Sequence, residues 1–293
     1  MKISASLLIV AILALLDTPT FAFINLGADE TIGTHQYAGT DGYFAVGQEN
    51  GIYLEPKFST YHSEISNGTY STYGGRLGYD QNVLSLGGEV NITPKINGYQ
   101  KISTGGDITF TLTPESGPTH RLAGPNSDYS NPSGHEISRL DIGGGLTYVE
   151  HHEDLATGQF HLGETKYTAF AGAKVLFVTG NAQITKSLYN GNFLPGAYGD
   201  RALQLPGVMP EVQGFPDTTW NAKVGISSFL GVKPYASYTH TTFQLQQPTS
   251  NAYAVGGTLG LGLVTVKGAY TLYDPSGGQI KQHYVTAGAT LNF

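Results

Sequence analysis

The stretch KQHYVTAGATLNF, Lys281 to Phe293, decides the fold. Val285, Ala287, Ala289, Leu291 and Phe293 fall on one face of an extended chain, and Tyr284, Thr286, Gly288, Thr290 and Asn292 on the other. Side chains alternate across a strand with period two, so the segment predicts a β-strand with one apolar face and one polar, small-residue face. The same alternation recurs back to Ile52. Ile52, Leu54, Pro56 and Phe58 oppose Tyr53, Glu55, Lys57 and Ser59, and Leu84, Leu86, Val90 and Ile92 oppose Ser85, Gly87, Glu89 and Asn91. Further on, Leu140, Ile142, Leu146 and Tyr148 oppose Arg139, Asp141 and Thr147. In each strand the charges take the face opposite the apolar residues, as a barrel in a bilayer requires: apolar out to lipid, polar into the lumen.

An alternating final strand that ends on Phe resembles the closing strand of bacterial outer-membrane β-barrel proteins. The resemblance is to a broad class and not to one member. It implies an outer-membrane location, outer-membrane lipid as the surrounding partner, and reading of the last strand by the barrel-assembly machinery during biogenesis. Twelve strands can be counted from Ile52 to Phe293, so the expected fold is all-β: an antiparallel transmembrane β-barrel of about 12 strands, with 14 as the alternative.

The amino-terminal end agrees. Met1 and Lys2 precede an apolar run from Leu7 to Leu16, and Thr20-Phe21-Ala22 offers small residues for cleavage after Ala22, so residues 1–22 read as a signal peptide. The run is about half of the roughly 20 apolar residues a spanning helix needs. Residues 23–50 alternate poorly. Asp29 and Glu30 interrupt them and Gly39-Thr40-Asp41-Gly42 reads as a turn, so this segment is expected to be a lead-in to the barrel of residues 51–293, with one extra hairpin as the alternative. The chain has 40 glycines, 19 tyrosines and only 13% charged residues, which suits aromatic girdles and a nearly uncharged outer wall. It has no cysteine, which excludes disulfides and thiolate metal sites. A net charge of −7 with scattered bases argues against a nucleic-acid partner.

Two long loops interrupt the hairpins. Pro114 to Glu136 carries Gly117-Pro118, Gly124-Pro125 and Asn131-Pro132, and counting strands back from a periplasmic carboxy-terminus puts it on the periplasmic side. Leu188 to Asp217, rich in Pro and Gly, falls outside the cell and is expected to act as a constriction or lid.

Among candidate chemical groups, His151-His152-Glu153-Asp154 with His161 offers ligand types for zinc or nickel. Consecutive residues on a strand point to opposite faces, so the cluster reads as a solvated loop tip and no metal or other cofactor is expected. Of His62, His240 and His283, the first two adjoin Ser63 or Thr241 and Thr242, but sequence neighbours on a strand face opposite sides, so they fail as hydrolase candidates and no enzyme activity is expected. Gly143-Gly144-Gly145 lacks the lysine and helix of a phosphate loop and reads as close packing.

The lumen-facing charges are more informative. On the first five strands Glu55, Lys57, Arg76, Glu89, Lys101, Asp107, Arg139 and Asp141 balance in sign. On the rest the inward set is Lys166, Lys174, Lys223, Lys233 and Lys267, with no inward carboxylate to answer it. Rings of lysine and arginine favour anions. The expected function is therefore an outer-membrane channel for passive passage of small polar or anionic solutes, its lumen lined by Arg76, Lys166, Lys174, Lys223, Lys233 and Lys267. A filled, non-conducting structural or surface-binding barrel is the alternative, and an outer-membrane hydrolase a more distant one.

Overall fold

The computed structural model describes residues 23–48, 50–64, 68–112, 121–125, 138–156, 158–191, 215–227, 231–245 and 248–293, and the expected signal peptide lies outside them. Among the described residues fourteen strands run in chain order. β1 (Phe23–Gly33) and β2 (Tyr37–Gly47) are joined by a short turn at Thr34–Gln36. β3 (Ile52–His62), β4 (Tyr70–Asp80), β5 (Leu84–Ile96) and β6 (Tyr99–Thr111) follow. Next come β7 (Ser138–Leu155), β8 (Gly158–Val175), β9 (Val178–Asn190) and β10 (Pro216–Ile226). β11 (Val232–Phe243), β12 (Ser250–Leu261), β13 (Val264–Asp274) and β14 (Gln282–Asn292) complete the chain. Each strand pairs antiparallel with its neighbour in sequence, and β14 pairs with β1 to close a barrel. Closure runs to the last residue: the Ile24 N–H donates to the Phe293 carbonyl at 2.9 Å, and the Phe293 N–H to that of Ile24 at 2.8 Å. A closed barrel has no edge strand, so no row of backbone groups is left without partners, which in hydrocarbon would cost several kcal/mol per group.

The count corrects the expectation of 12 strands, and the alternative of 14 stands. All twelve strands read from Ile52 onward are present. The difference is the expected lead-in, residues 23–50, of which 23–47 form a hairpin of the barrel wall. Local signals misled there for a physical reason. Asp41-Gly42 has turn chemistry but sits in mid-strand, held by pairing on both sides: Asp41 lies opposite Asp29 of β1 and Ser59 of β3. The carboxylates that break the apolar pattern also have partners, Glu30 accepting from Thr40 Oγ1 at 2.9 Å and Asp29 from the Lys267 ammonium.

Apolar side chains cover the outside. Leu77, Val224 and Val255 are 59%, 58% and 56% exposed, while the residues beside them in sequence are shielded within the wall. Exposed aromatics recur toward both ends of this face. Tyr148, Tyr167, Trp220, Tyr253 and Tyr270 lie toward the end where β1 meets β2, and Tyr79, Phe110, Phe177 and Phe293 lie at the end that carries the chain termini. With an apolar belt and aromatic borders, the barrel is of the transmembrane type. No helix among the described residues is long and apolar enough to cross a membrane. Most strands have 11 to 13 residues, whereas β7 and β8 have 18 each and stand above their neighbours at the far end.

Inside, the two ends differ. At the far end Tyr37, Tyr61, Tyr70, Tyr99, Tyr273 and Tyr284 form a buried cluster with Leu162 and Phe215. Tyr61 stacks on Tyr70 at 5.4 Å and Tyr284 meets Tyr37 edge-on at 5.2 Å. These offset and edge geometries suit ring quadrupoles. At the terminal end, residues 121–125 from the β6–β7 connection pack against the inner wall, with Arg121, Leu122 and Ala123 buried.

Candidate functional site: the lumen and its mouths

A lumen wall of alternating residues holds charges in rows, because each inward position faces an inward position on the next strand. One row runs Lys233, Thr258, Lys267, Gly288, Asp29, Asp41 across β11 to β14, β1 and β2. Lys267 reaches over Gly288 to form an ion pair with Asp29. Glycine is needed at that crossing, since a Cβ on residue 288 would lie 1.8 Å from Asp29 Oδ1. The opposite wall repeats the device. Arg76 of β4 spans Gly87 of β5 to meet Asp107 of β6 with two hydrogen bonds, of 2.6 and 2.8 Å, and its Nε donates to Tyr53 Oη at 3.0 Å. A Cβ on residue 87 would fall 1.8 Å from Arg76 Nη2. Gly143 of the triple-glycine run is also a close approach, under the ring of Phe170.

At the terminal end the fully buried Asp141 carboxylate accepts from Thr111 Oγ1 at 2.6 Å, from the Leu122 N–H at 2.7 Å and from Arg139 Nε at 3.0 Å. Arg121 donates to Thr111 Oγ1 and to the Gln81 carbonyl, and Asn181 donates to the Leu122 carbonyl at 3.1 Å. Segment 121–125 is thereby tied to the β4–β5 turn, β6, β7 and β9, and it fills part of the mouth. Sequence reasoning treated this stretch as an irregular loop. The available signal was Arg121-Leu122-Ala123, a charged and apolar trio set between Gly-Pro breakers.

A third cluster centres on Glu164, an inward carboxylate that the sequence reading missed. Its oxygens meet His151 Nε2 at 3.2 Å, the Tyr189 hydroxyl at 3.0 Å and Lys166 Nζ at 3.6 Å, while His151 Nδ1 lies 2.8 Å from Tyr99 Oη. Glu164 and Asp29 therefore correct the expectation that the lysines on the later strands face no inward carboxylate. Glu164 was overlooked because β8 begins nine residues before Tyr167, where the strand was first read. Asp29 was overlooked because its segment was not counted as wall.

The six residues expected to line the lumen differ in their surroundings. Arg76 is sealed in its pair with Asp107, Lys166 lies beside Glu164, and Lys267 is paired to Asp29. Lys223 sits 4.3 Å above the ring of Tyr235, a cation–π contact. Lys174, opposite Arg139, and Lys233 both lie near the terminal end. The wall is uneven in its access to water. The side chains of Arg76 and Arg139 are 1% and 2% exposed, whereas those of Lys166 and Lys267 are 38% and 34%. Gln183 on β9 is exposed although its register neighbours are Phe170 and Asn221, both on the inner face.

Histidines singled out as hydrolase candidates face away from their sequence neighbours. His240 bonds Asn251 at 2.9 Å and His283 bonds Tyr270 at 2.6 Å on the outer face, while the buried Thr241 pairs with Thr219 inside.

No protein-family model and no curated protein matches the chain. Several solved structures are similar to it at low identity. The similar ones include CdiB from Acinetobacter baumannii, at 9% identity and a TM-score of 0.49, covering 92% of this chain and 60% of that one. The CymD monoaromatic hydrocarbon channel has 9% identity and a TM-score of 0.47, covering 100% and 93%. The outer membrane protein Omp33 of Acinetobacter baumannii has 8% identity and a TM-score of 0.44, covering 94% and 100%. The chain thus spans about three-fifths of the length of CdiB.

Proposed function

We propose that the protein is a bacterial outer-membrane channel for the passive passage of small polar solutes. In this reading the water path follows the wall of β8 to β14, and residues 121–125 narrow the periplasmic mouth. The observation that carries it is the exposure of inward polar side chains on one wall, Gln183, Lys166 and Lys267, opposite a wall that is sealed. A barrel of eight strands is filled by side chains and one of 16 to 18 holds an aqueous channel, so 14 strands fall on the open side of that range. The path carries both signs, Lys223 and Lys233 against Asp29 and Asp41, which suits neutral and zwitterionic solutes and leaves anions a preference set by Lys223. Outer-membrane lipid against the apolar belt and the barrel-assembly machinery acting on β14 are the partners this reading requires.

The filled, non-conducting barrel draws on the same segment 121–125, which occupies lumen space. The proposed lid, Leu188 to Asp217, falls largely on residues 192–214, outside those described. Single-channel recording of the refolded full chain in a planar bilayer tests the proposal. Stepwise ohmic conductance is expected, and a protein that inserts without conducting contradicts it.

A further inference from the structure

Beyond the channel reading, and independent of it, we propose that Glu150, His152 and His161 form a binding site for a divalent transition-metal ion, zinc, copper or nickel, on the outer surface of the far rim. The β7–β8 hairpin builds it by register. His152 stands directly opposite His161, and Glu150, two residues earlier on the same face, stands opposite Gly163. Cross-strand partners have Cβ atoms about 5 Å apart, close enough for two imidazoles to share an ion. The His152 and His161 ring centroids are 4.5 Å apart at 89°, and His152 Nε2 lies 3.5 Å from Glu150 Oε1. One ligand atom from each of the three residues lies within 4.8 Å of the other two. Ligand atoms around a tetrahedral zinc, at about 2.1 Å from the ion, lie about 3.4 Å apart, a contraction within the reach of side-chain rotation. Gly163, opposite Glu150, adds no side chain of its own, and the Tyr148 hydroxyl lies over it, 2.9 Å from where a Cβ would stand.

The alternation that argued against a metal here operates in its favour. His151 turns inward to Tyr99 and Glu164, and its neighbour is released to the outer face, where the ligands come from a second strand and from the residue two positions back. Imidazole and carboxylate are ligands that zinc, copper and nickel accept, and three protein ligands leave a position for water. The site is wet. Glu150 is 46% exposed in its side chain, and Asp154, further along the same strand, pairs with an exposed Lys95. Tyr148, two residues below Glu150, belongs to the aromatic border, so the site stands just above the apolar belt.

The test uses the untagged full chain folded in detergent, with zinc followed by titration calorimetry and copper by electron paramagnetic resonance. One zinc per chain is expected, with affinity falling more than ten-fold in His152→Gln and in His161→Gln and unchanged in His62→Gln and His240→Gln. Copper bound to the wild-type chain is expected to show coupling to two nitrogens. No zinc binding, an unchanged affinity in His161→Gln, or a copper signal without two nitrogens overturns the proposal. The copper spectrum needs no variant and decides the matter even where a substitution prevents folding.

Discussion

At the scale of single residues, the interior is governed by ion pairs laid across glycine. Arg76 and Asp107 are almost sealed from water, with side-chain exposures of 1% and 7%. Removing one partner leaves an uncompensated buried charge, which costs about 3–5 kcal/mol, whereas exchanging both for apolar residues of similar size is often neutral. Asp107→Ala is therefore expected to lower stability by about that amount, and Arg76→Met with Asp107→Leu by much less, as read from urea unfolding in lipid vesicles. Equal losses in the two variants would mean that the pair itself stabilises the wall. In the proposed channel, the partly wet row from Lys233 to Asp41 acts on solutes instead. Replacing Lys223 and Lys267 with glutamate is expected to move the reversal potential in a salt gradient toward cations, and replacing Asp29 and Asp41 with asparagine to move it toward anions. Low ionic strength is required, because screening acts over about 10 Å at 0.1 M. Unchanged potentials in both variants would place these residues off the path. Legibility at this scale was partial. The inward side of Arg76, Lys223 and Lys267 follows from alternation, but their partners do not, since Asp29 and Asp107 are brought close only by closure and register.

At the scale of elements, alternation was readable wherever apolar residues faced outward without interruption, as in β5 and β14. It failed in β1 and β2, where Asp29, Glu30 and Asp41-Gly42 gave stronger local signals than the flanking apolar residues. Cross-strand pairing overrode those signals, as it does for β-propensity generally. It also failed for residues 121–125, whose position depends on Asp141, Thr111 and Gln81, residues remote from the segment in sequence. This segment is the element with the clearest consequence. Replacing residues 115–135 with a short Gly-Ser linker is expected to raise single-channel conductance, because Leu122 and Arg121 leave the mouth. The Asp141 cluster also loses the Leu122 N–H bond, so added current noise is expected alongside. An unchanged conductance would mean that the current bypasses residues 121–125.

At the scale of the whole molecule, the class of fold was legible from its last strand, since one apolar face ending on Phe293 needs a lipid-facing wall and a partner strand to close on. That partner, β1, lay in the least readable stretch of the chain, so the closure and the strand number came only with the structure. The central claim is a closed barrel with water on one side of its wall and lipid on the other. The chain has no cysteine, so single substitutions report without background. Gln183→Cys and Ala182→Cys are neighbours on β9, the first in register with Phe170 and Asn221 inside and the second with Ala171 and Ala222 outside. A charged, water-soluble thiol reagent added during planar-bilayer recording should react with Gln183→Cys and step its current down, and should leave Ala182→Cys unaffected. Reaction at Ala182→Cys with none at Gln183→Cys, or no current from either, would contradict it.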